Sequence, residues 1–454
     1  MEELTLYEII KAVDGSFGYP GKDIVTSIST DTRRIEQGGV FFALKGEKFD
    51  GHDFVPKAIE LGATAAVTER PVDGARCIIV DSVNKALLDI ASYYRSRFSP
   101  VLVGVTGSVG KTTTKEMIAL VLSSKYNTLK TTGNLNNEIG LPLTLLELNS
   151  KHEAAVIEMG MSDFGEISRL SMCSRPTIGV ITNIGYSHIQ NLGSREGILK
   201  AKLEIIDGMS PDSPLILNGD DDMLLSTKGN LGRSQIYYGI QNTEVDVFAS
   251  NVITENGKTL FTINYWGKQI EAQLNCIGSH NVMNSLAAFC VGISADIEPN
   301  DIVNAIARFV PEGLRQSVVR KGEQTVIIDC YNASPDSMKA SLAVLSELSP
   351  MPGGRRIAVL GDMLELGAAS AELHSKVGEY VRNSKADVLI CYGIEASHIK
   401  KAAEKSEGIQ FYLFSEKAKL TDFLKGFIKK NDLLLFKASR GMKLEEVIDG
   451  LYKN

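Results

Sequence analysis

The stretch Val101-Leu102-Val103-Gly104-Val105-Thr106-Gly107-Ser108-Val109-Gly110-Lys111-Thr112-Thr113-Thr114 constrains the fold more than any other part of the chain. Its first residues are apolar and β-branched, which suits a buried strand. Gly107 and Gly110 bracket a tight turn that lets a ligand approach the backbone closely. Lys115 to Leu122 then reads as a helix. A strand, a glycine loop and a helix with Gly-Lys-Thr at the junction form a phosphate cradle, because loop and helix N–H groups attract phosphate oxygens. Gly107, Ser108, Val109, Gly110, Lys111, Thr112 and Thr113 are expected to bind nucleotide phosphates. Lys111 would reach the β and γ phosphates, and the Thr112 hydroxyl would ligate Mg²⁺. The strict pattern places a first glycine at 105, where this chain has Val105. The alternative is a glycine-rich turn with no ligand.

Such a unit belongs in an α/β fold with a parallel sheet. At 454 residues the chain should form about three domains. A net charge of −7 argues against nucleic acid as a bulk partner. No apolar run approaches the roughly 18 residues needed to span a membrane. Met1-Glu2-Glu3 lacks the basic start of a signal peptide, so a cytoplasmic protein is expected. Cysteines 77, 173, 276, 290, 330 and 391 are scattered with no CxxC, as reduced thiols would be.

Residues 1–98 read as a small N-terminal α/β domain. Leu6 to Val13 should be a helix with a Thr5/Glu8 capping box. Ile24 to Ile28 and Gly39 to Gly46 read as strands, Phe54 to Leu61 as a helix and Ala65 to Thr68 as a strand. Thr30, Thr32, Arg33 and Gly46 are candidates for a polar or phosphorylated ligand. An Asx-type turn at Asp31 with a surface arginine is the alternative.

Residues 99–311 form the expected central domain around the nucleotide loop. Thr131 to Pro142 is amide-rich, and Asn134 and Asn137 are candidate substrate contacts, against the alternative of a solvated loop. The apolar strand Ala154 to Ile157 ends at Glu158, and Thr177 to Gly185 runs on to His188. Ligands of parallel sheets sit beyond the carboxyl ends of the strands. A phosphate cradle, a carboxylate and an imidazole at three such ends suggest a metal–nucleotide centre. Residues 195–209 are expected to be one helix, with Ile198, Ile205, Ile206 and Met209 on its apolar face and Lys202 in the middle of that face. A lysine there is costly unless paired or altered.

Residues 312–454 should be a third domain with a Rossmann-like, doubly wound sheet. Its strands are Thr325 to Asp329, Arg356 to Leu360, Val388 to Cys391 and Leu433 to Lys437. Its helices fall near 336–348, 370–383 and 417–429. Gly361-Asp362-Met363-Leu364-Glu365-Leu366-Gly367 is not GxGxxG, so no dinucleotide site is expected there.

These residues resemble the Mur ligase family. The resemblance rests on TGSVGKTTT at 106–114, EMG at 158–160, TNIGYSH at 182–188, AKLE at 201–204, GSHNVMN at 278–284, GLR at 313–315 and the Asp329 segment. STDTR at 29–33, FFALKG at 41–46, TGNLNNEIGLP at 132–142, YNASPDSM at 331–338, LGDMLELG at 360–367 and KASRGM at 437–442 narrow it to the members that add D-alanyl-D-alanine. After Glu158-Met159-Gly160, many relatives carry an Asn/His pair where this chain has Met161-Ser162-Asp163-Phe164. The resemblance implies an ATP-dependent ligase of peptidoglycan precursor synthesis. ATP would phosphorylate the terminal carboxylate of UDP-N-acetylmuramoyl-tripeptide, and the amine of D-alanyl-D-alanine would displace phosphate. It further implies ATP contacts from Asn281, Arg315 and Asp329. Thr112, Glu158, His188 and a carbamylated Lys202 would hold Mg²⁺, and Lys111, Lys202 and His188 would serve catalysis. The N-terminal domain would take UDP, the centre ATP and the C-terminal domain the dipeptide, in a monomer. For Lys202, helix geometry alone leaves open an ammonium that snorkels to the helix edge.

Two other classes compete. A GTPase switch would need NKxD after a strand, and Thr182-Asn183-Ile184-Gly185 lacks it. A non-catalytic binder has no need of Lys111, Thr112, Glu158 and His188 together. Within ligases, the nearest rival adds an amino acid to a different carboxylate, as folylpolyglutamate synthases do.

Overall fold

The chain is described here by a computed structural model covering residues 1–18, 21–46, 48–255, 257–311 and 313–452. Glu312, where the third domain is expected to begin, and Lys453 and Asn454, its last residues, lie outside the described residues.

A nine-stranded sheet forms the middle of the molecule. Seven parallel strands run in the order Thr128–Lys130, Ala154–Glu158, Val101–Thr106, Ile178–Ile181, Leu215–Asn218, Gln235–Gly239 and Val247–Glu255. The antiparallel strands Lys258–Tyr265 and Lys268–Leu274 extend the far edge. The nucleotide-loop strand is thus flanked on both sides, and every residue from Leu102 to Thr106 is buried. Its register sets Val105 opposite Glu158 and Thr106 opposite Ile181, so three strand ends finish side by side. The helices Lys111–Leu122 and Ser279–Ser294 cover one face with Met117, Ile118, Val121, Leu286 and Phe289.

Before it lies a four-stranded sheet, all parallel, in chain order Ile28–Ser29, Val40–Phe42, Ala65–Thr68, Cys77–Ile79. The helix Leu6–Ala12 carries the expected capping box. The single strand expected over Ile24 to Ile28 is split. Ile24–Val25 pairs antiparallel with Leu4–Thr5, and Ile28–Ser29 joins the parallel sheet.

The last sheet has six strands in the order Ser317–Lys321, Gln324–Asp329, Leu433–Lys437, Arg356–Gly361, Val388–Tyr392, Gln410–Phe414. All neighbours are parallel except the first pair, a hairpin. That hairpin's outer strand and the edge strand Gln410–Phe414 were not anticipated from the sequence. Both lie at sheet edges and are only partly buried, so neither makes a long apolar run. The helices Pro335–Glu347, Ser370–Arg382 and Lys417–Phe427 match the expected positions.

One expected helix is shorter than read. Residues 195–209 do not form one helix: Arg195–Leu203 is α-helical and Glu204–Gly208 tightens into a 3₁₀ turn. Neighbouring groups pin the change. The Glu204 carboxylate accepts the Gly165 and Ser168 N–H groups, while Ser171 Oγ donates to the Ile205 carbonyl. Ile198 and Lys202 still face inward, 0% and 2% exposed. Among the described residues no helix is long and apolar enough to cross a membrane. All six cysteines are free, and burial pushes the thiols of Cys173, Cys276, Cys330 and Cys391 up to about 12.

Candidate active site

The phosphate loop is held open by its neighbour strand. Thr182 Oγ1 and Asn183 Nδ2 both donate to the Val109 carbonyl, at 2.6 and 3.0 Å, and Asn183 Oδ1 accepts the Val109 N–H at 2.9 Å. Gly107 takes φ +149°, and a Cβ there would stand 1.9 Å from the Thr182 hydroxyl, so no side chain fits. Gly110 takes φ +84° and leads into the helix Lys111–Leu122. With the Ser108 and Val109 N–H groups taken by Asn183, the N–H groups at the start of the helix are left to serve an anion beside a cleft of about 1340 Å³. Lys111 lines this cleft, its Nζ donating to the Gly107 carbonyl at 2.8 Å. Burial, then the nearby Arg315 guanidinium, lower its pKa, while the Glu158 carboxylate works the other way.

Glu158 is 2% exposed at its strand end. Thr112 Oγ1 donates to Oε2 and Asn136 Nδ2 to Oε1, both at 2.8 Å. Both donors are neutral, and no ion pair reaches Glu158 from the described residues. A carboxylate held only by neutral donors presents hard oxygen ligands of the kind Mg²⁺ takes. His188 is not at the end of its strand, as the sequence suggested. It lies further along on the loop at the start of the short helix Ile189–Leu192, with φ +62°. Its Nδ1 stands 3.1 Å from Glu365 Oε2, a residue of the C-terminal part. Burial, then the positive Lys111, push the His188 pKa down. Lys202 is buried and does not line the cleft, and its side chain makes no hydrogen bond or ion pair among the described residues. Burial, reinforced by Lys111, takes its pKa well below the usual lysine range.

Ser108, Val109, Gly110, Thr112 and Thr113 line the cleft; Gly107, expected among them, does not. Asn134 and Asn137 line it too. Asn137 also has a local structural task, its Oδ1 accepting the Ile139 and Gly140 N–H groups. Across the cleft come Asn281, Arg315 and Asp329. The Arg315 guanidinium lies 3.7 Å from the Tyr331 ring centroid. Asp329 Oδ2 accepts from Lys437 Nζ at 2.7 Å and Ser341 Oγ at 2.6 Å. Asn281 and His280 both meet Gln316 Oε1, at 3.2 and 2.5 Å. Sequence reasoning read Lys437 as a strand end facing the central domain, as found, but did not single out Asn136, His280 or Gln316. Asn136 carried a signal, since it lies in the same amide-rich loop; the others meet only through the fold.

Thr30, Thr32, Arg33 and Gly46 do not join this cleft. They sit beyond the carboxyl ends of Ile28–Ser29 and Val40–Phe42 in the N-terminal sheet. Arg33 is paired with Asp31 at 2.6 Å with its side chain 86% exposed. Asp31 also caps the turn Thr32–Arg34, the Asx-type arrangement weighed as the alternative. The paired Arg33 guanidinium holds the Asp31 carboxyl down at about 2.

Asn136 gives a first expectation. Asn136→Ala removes a donor that fixes Glu158, and disturbing such a supporting bond typically lowers metal affinity or activity 10- to 100-fold. Metal titration of nucleotide-dependent activity would show the apparent metal affinity falling by about that factor, with the thermal midpoint near wild type. Unchanged metal dependence would remove Asn136 from the site.

Family models match the chain as the Mur ligase middle domain over residues 105–292, the Mur ligase glutamate ligase domain over 314–440 and the Mur ligase family catalytic domain over 24–97. The UDP-N-acetylmuramoyl-tripeptide–D-alanyl-D-alanine ligase of Bacillus subtilis is 40% identical, covering 100% of this chain and 99% of its own. A crystal structure of MurF from Acinetobacter baumannii superposes with a TM-score of 0.92 at 30% identity, covering 100% of both chains. MurF from Thermotoga maritima in complex with ADP gives 0.85 at 30% identity, covering 94% of this chain and 97% of that one.

Proposed function

The chain belongs to the Mur ligase family, and we infer on that basis that it joins D-alanyl-D-alanine to UDP-N-acetylmuramoyl-tripeptide with ATP in peptidoglycan precursor synthesis. The observation that carries this reading is the convergence of the phosphate loop, Glu158, Arg315 and Asp329 on one cleft. The chemistry has two steps. A carboxylate oxygen of the tripeptide attacks the γ-phosphorus and ADP leaves. The dipeptide amine then attacks the acyl carbon, loses a proton and expels phosphate. Each step brings negative groups together, so fixed positive charge stabilises the transition state.

In this account the N–H groups at the start of the helix and Lys111 hold the triphosphate. Thr112 and Glu158 would hold Mg²⁺ together with nucleotide oxygens, a donor set typical for this ion, and His188 is the further candidate ligand. Bound there, Mg²⁺ would neutralise phosphate charge. Lys202 is proposed to carry a carbamate: its neutral Nζ adds CO₂ and releases a proton, leaving an anion. Its burial without a side-chain partner, beside the Lys111 charge that disfavours its own and close enough to His188 to act on it, supports this. Arg315, Asp329 and Asn281 are assigned to ATP, Asn134 and Asn137 to the tripeptide. Thr30, Thr32, Arg33 and Gly46 are assigned to UDP on the N-terminal domain, with the centre taking ATP and the C-terminal domain the dipeptide. A cytoplasmic monomer completes the proposal.

The experiment labels the tripeptide's terminal carboxylate with ¹⁸O. An acyl-phosphate route moves one ¹⁸O into the released phosphate; unlabelled phosphate would contradict it.

Closure of the C-terminal domain is also expected. His188 meets Glu365, and Lys376 Nζ donates to Tyr186 OH at 3.2 Å across the junction, so the cleft depends on both sides. Solution scattering should show a smaller radius of gyration with an ATP analogue and UDP-tripeptide than without. An identical radius would argue against closure.

A further inference from the structure

The loop Asp362–Gly367 is pinned from several sides. Asp362 Oδ1 and Oδ2 accept the Ala396 and Ile394 N–H groups at 2.7 and 3.1 Å. The Met363 N–H donates to His374 Nε2 at 2.9 Å, and the Leu364 N–H to Ser439 Oγ at 2.9 Å. Glu365 follows with φ +63°, a left-handed conformation uncommon for a residue with a side chain. Among the described residues its carboxylate has one partner, His188 across the domain junction, and the side chain stays 69% exposed. The loop thus holds a left-handed residue at its tip and presents a carboxylate with a single partner among the described residues. Such conformations gather at functional sites.

The carboxylate faces a side pocket of about 240 Å³ lined by Ser162, His188, Gln190, Asn191 and Glu365. Ser162 and His188 line the main cleft as well, so the two spaces share a wall. The rest of the pocket lining is hydroxyl, imidazole and amide, and Glu365 is its one carboxylate. Beside a cleft built for anions, a single acid in a neutral polar pocket selects a cation.

We propose that Glu365 receives the primary ammonium group of the incoming dipeptide and positions its nitrogen beside the acyl carbon. This rests on the ligase reading above. The placement favours that amine because His188 and Ser162 line both this pocket and the cleft that holds the phosphate loop and Lys111, so the pocket borders the place where the γ-phosphate would react. A second ammonium, on the diamino acid of the tripeptide, shares the same chemistry, and the test separates the two.

Steady-state kinetics of Glu365→Gln, with Glu365→Asp as the conservative variant, give the first readout. Glu365→Gln should raise KM for D-alanyl-D-alanine about tenfold and leave KM for ATP and UDP-tripeptide within about twofold, with Glu365→Asp between it and wild type. The second readout is competitive inhibition by D-lactoyl-D-alanine, in which a hydroxyl replaces the amine. Wild type should favour the dipeptide over this analogue by about tenfold, and Glu365→Gln should lose that preference. An unchanged dipeptide KM, a rise in the UDP-tripeptide KM instead, or equal weakening of dipeptide and analogue would each overturn the proposal. Wild-type protein that does not turn over the dipeptide at all would instead refute the ligase reading itself.

Discussion

Lys111→Ala is expected to reduce ligation by at least about 10²- to 10³-fold while the protein stays folded. Lys111 is the ammonium that follows Gly110 in the phosphate loop, and it lines the cleft. Among the described residues its ammonium has one hydrogen bond, to the Gly107 carbonyl, a weak hold for a partly buried charge. Burial and Arg315 disfavour that charge, and a triphosphate would favour it and be held by it. Removing one preorganised group that meets developing charge costs about 3–4 kcal/mol. Turnover under saturating substrates, alongside thermal unfolding, measures this directly. A folded variant with near wild-type turnover would show that the loop does not position the reacting phosphate.

Lys202→Ala is expected to cost as much, by another route. A buried ammonium beside Lys111 is disfavoured twice, by desolvation and by like charge. The neutral amine that results is the form that adds CO₂. Alanine removes the proposed carbamate and leaves space for a small anion. Formate, acetate or propionate should therefore restore part of the activity, by about tenfold over the unrescued variant. In ¹³C-bicarbonate, wild type should show a carbamate carbon signal that Lys202→Ala lacks. Full activity in the variant, or no such signal in wild type, would leave Lys202 as a buried lysine with no part in the reaction.

The local parts of this site were legible in the sequence because residue type and spacing act over a few residues. Gly107, Gly110 and Lys111 define their own backbone and charge. Glu158 announces itself as an acid closing an apolar strand, and Lys202 as a lysine on an apolar helix face, even though that helix tightens after Leu203. Groups that meet only through the fold were not legible. Gln316 touches His280 and Asn281 across a long stretch of chain, and Lys437 reaches Asp329 from a distant strand. Among three asparagines in one loop, nothing in residue type marks Asn136 as the one that turns to Glu158. In the N-terminal part the cluster 29–33 could be read either as a ligand pocket or as a turn. The geometry shows the turn, with Arg33 folded back on Asp31, and leaves any UDP contact there a proposal.

The most direct test of the central claim is phosphate release and product analysis with purified protein, ATP, Mg²⁺, UDP-N-acetylmuramoyl-tripeptide and D-alanyl-D-alanine, omitting each in turn. The account predicts one phosphate per UDP-linked pentapeptide formed, and no pentapeptide when any component is missing. Phosphate release that continues at the full rate without the dipeptide, or a complete mixture that yields no pentapeptide, would contradict it.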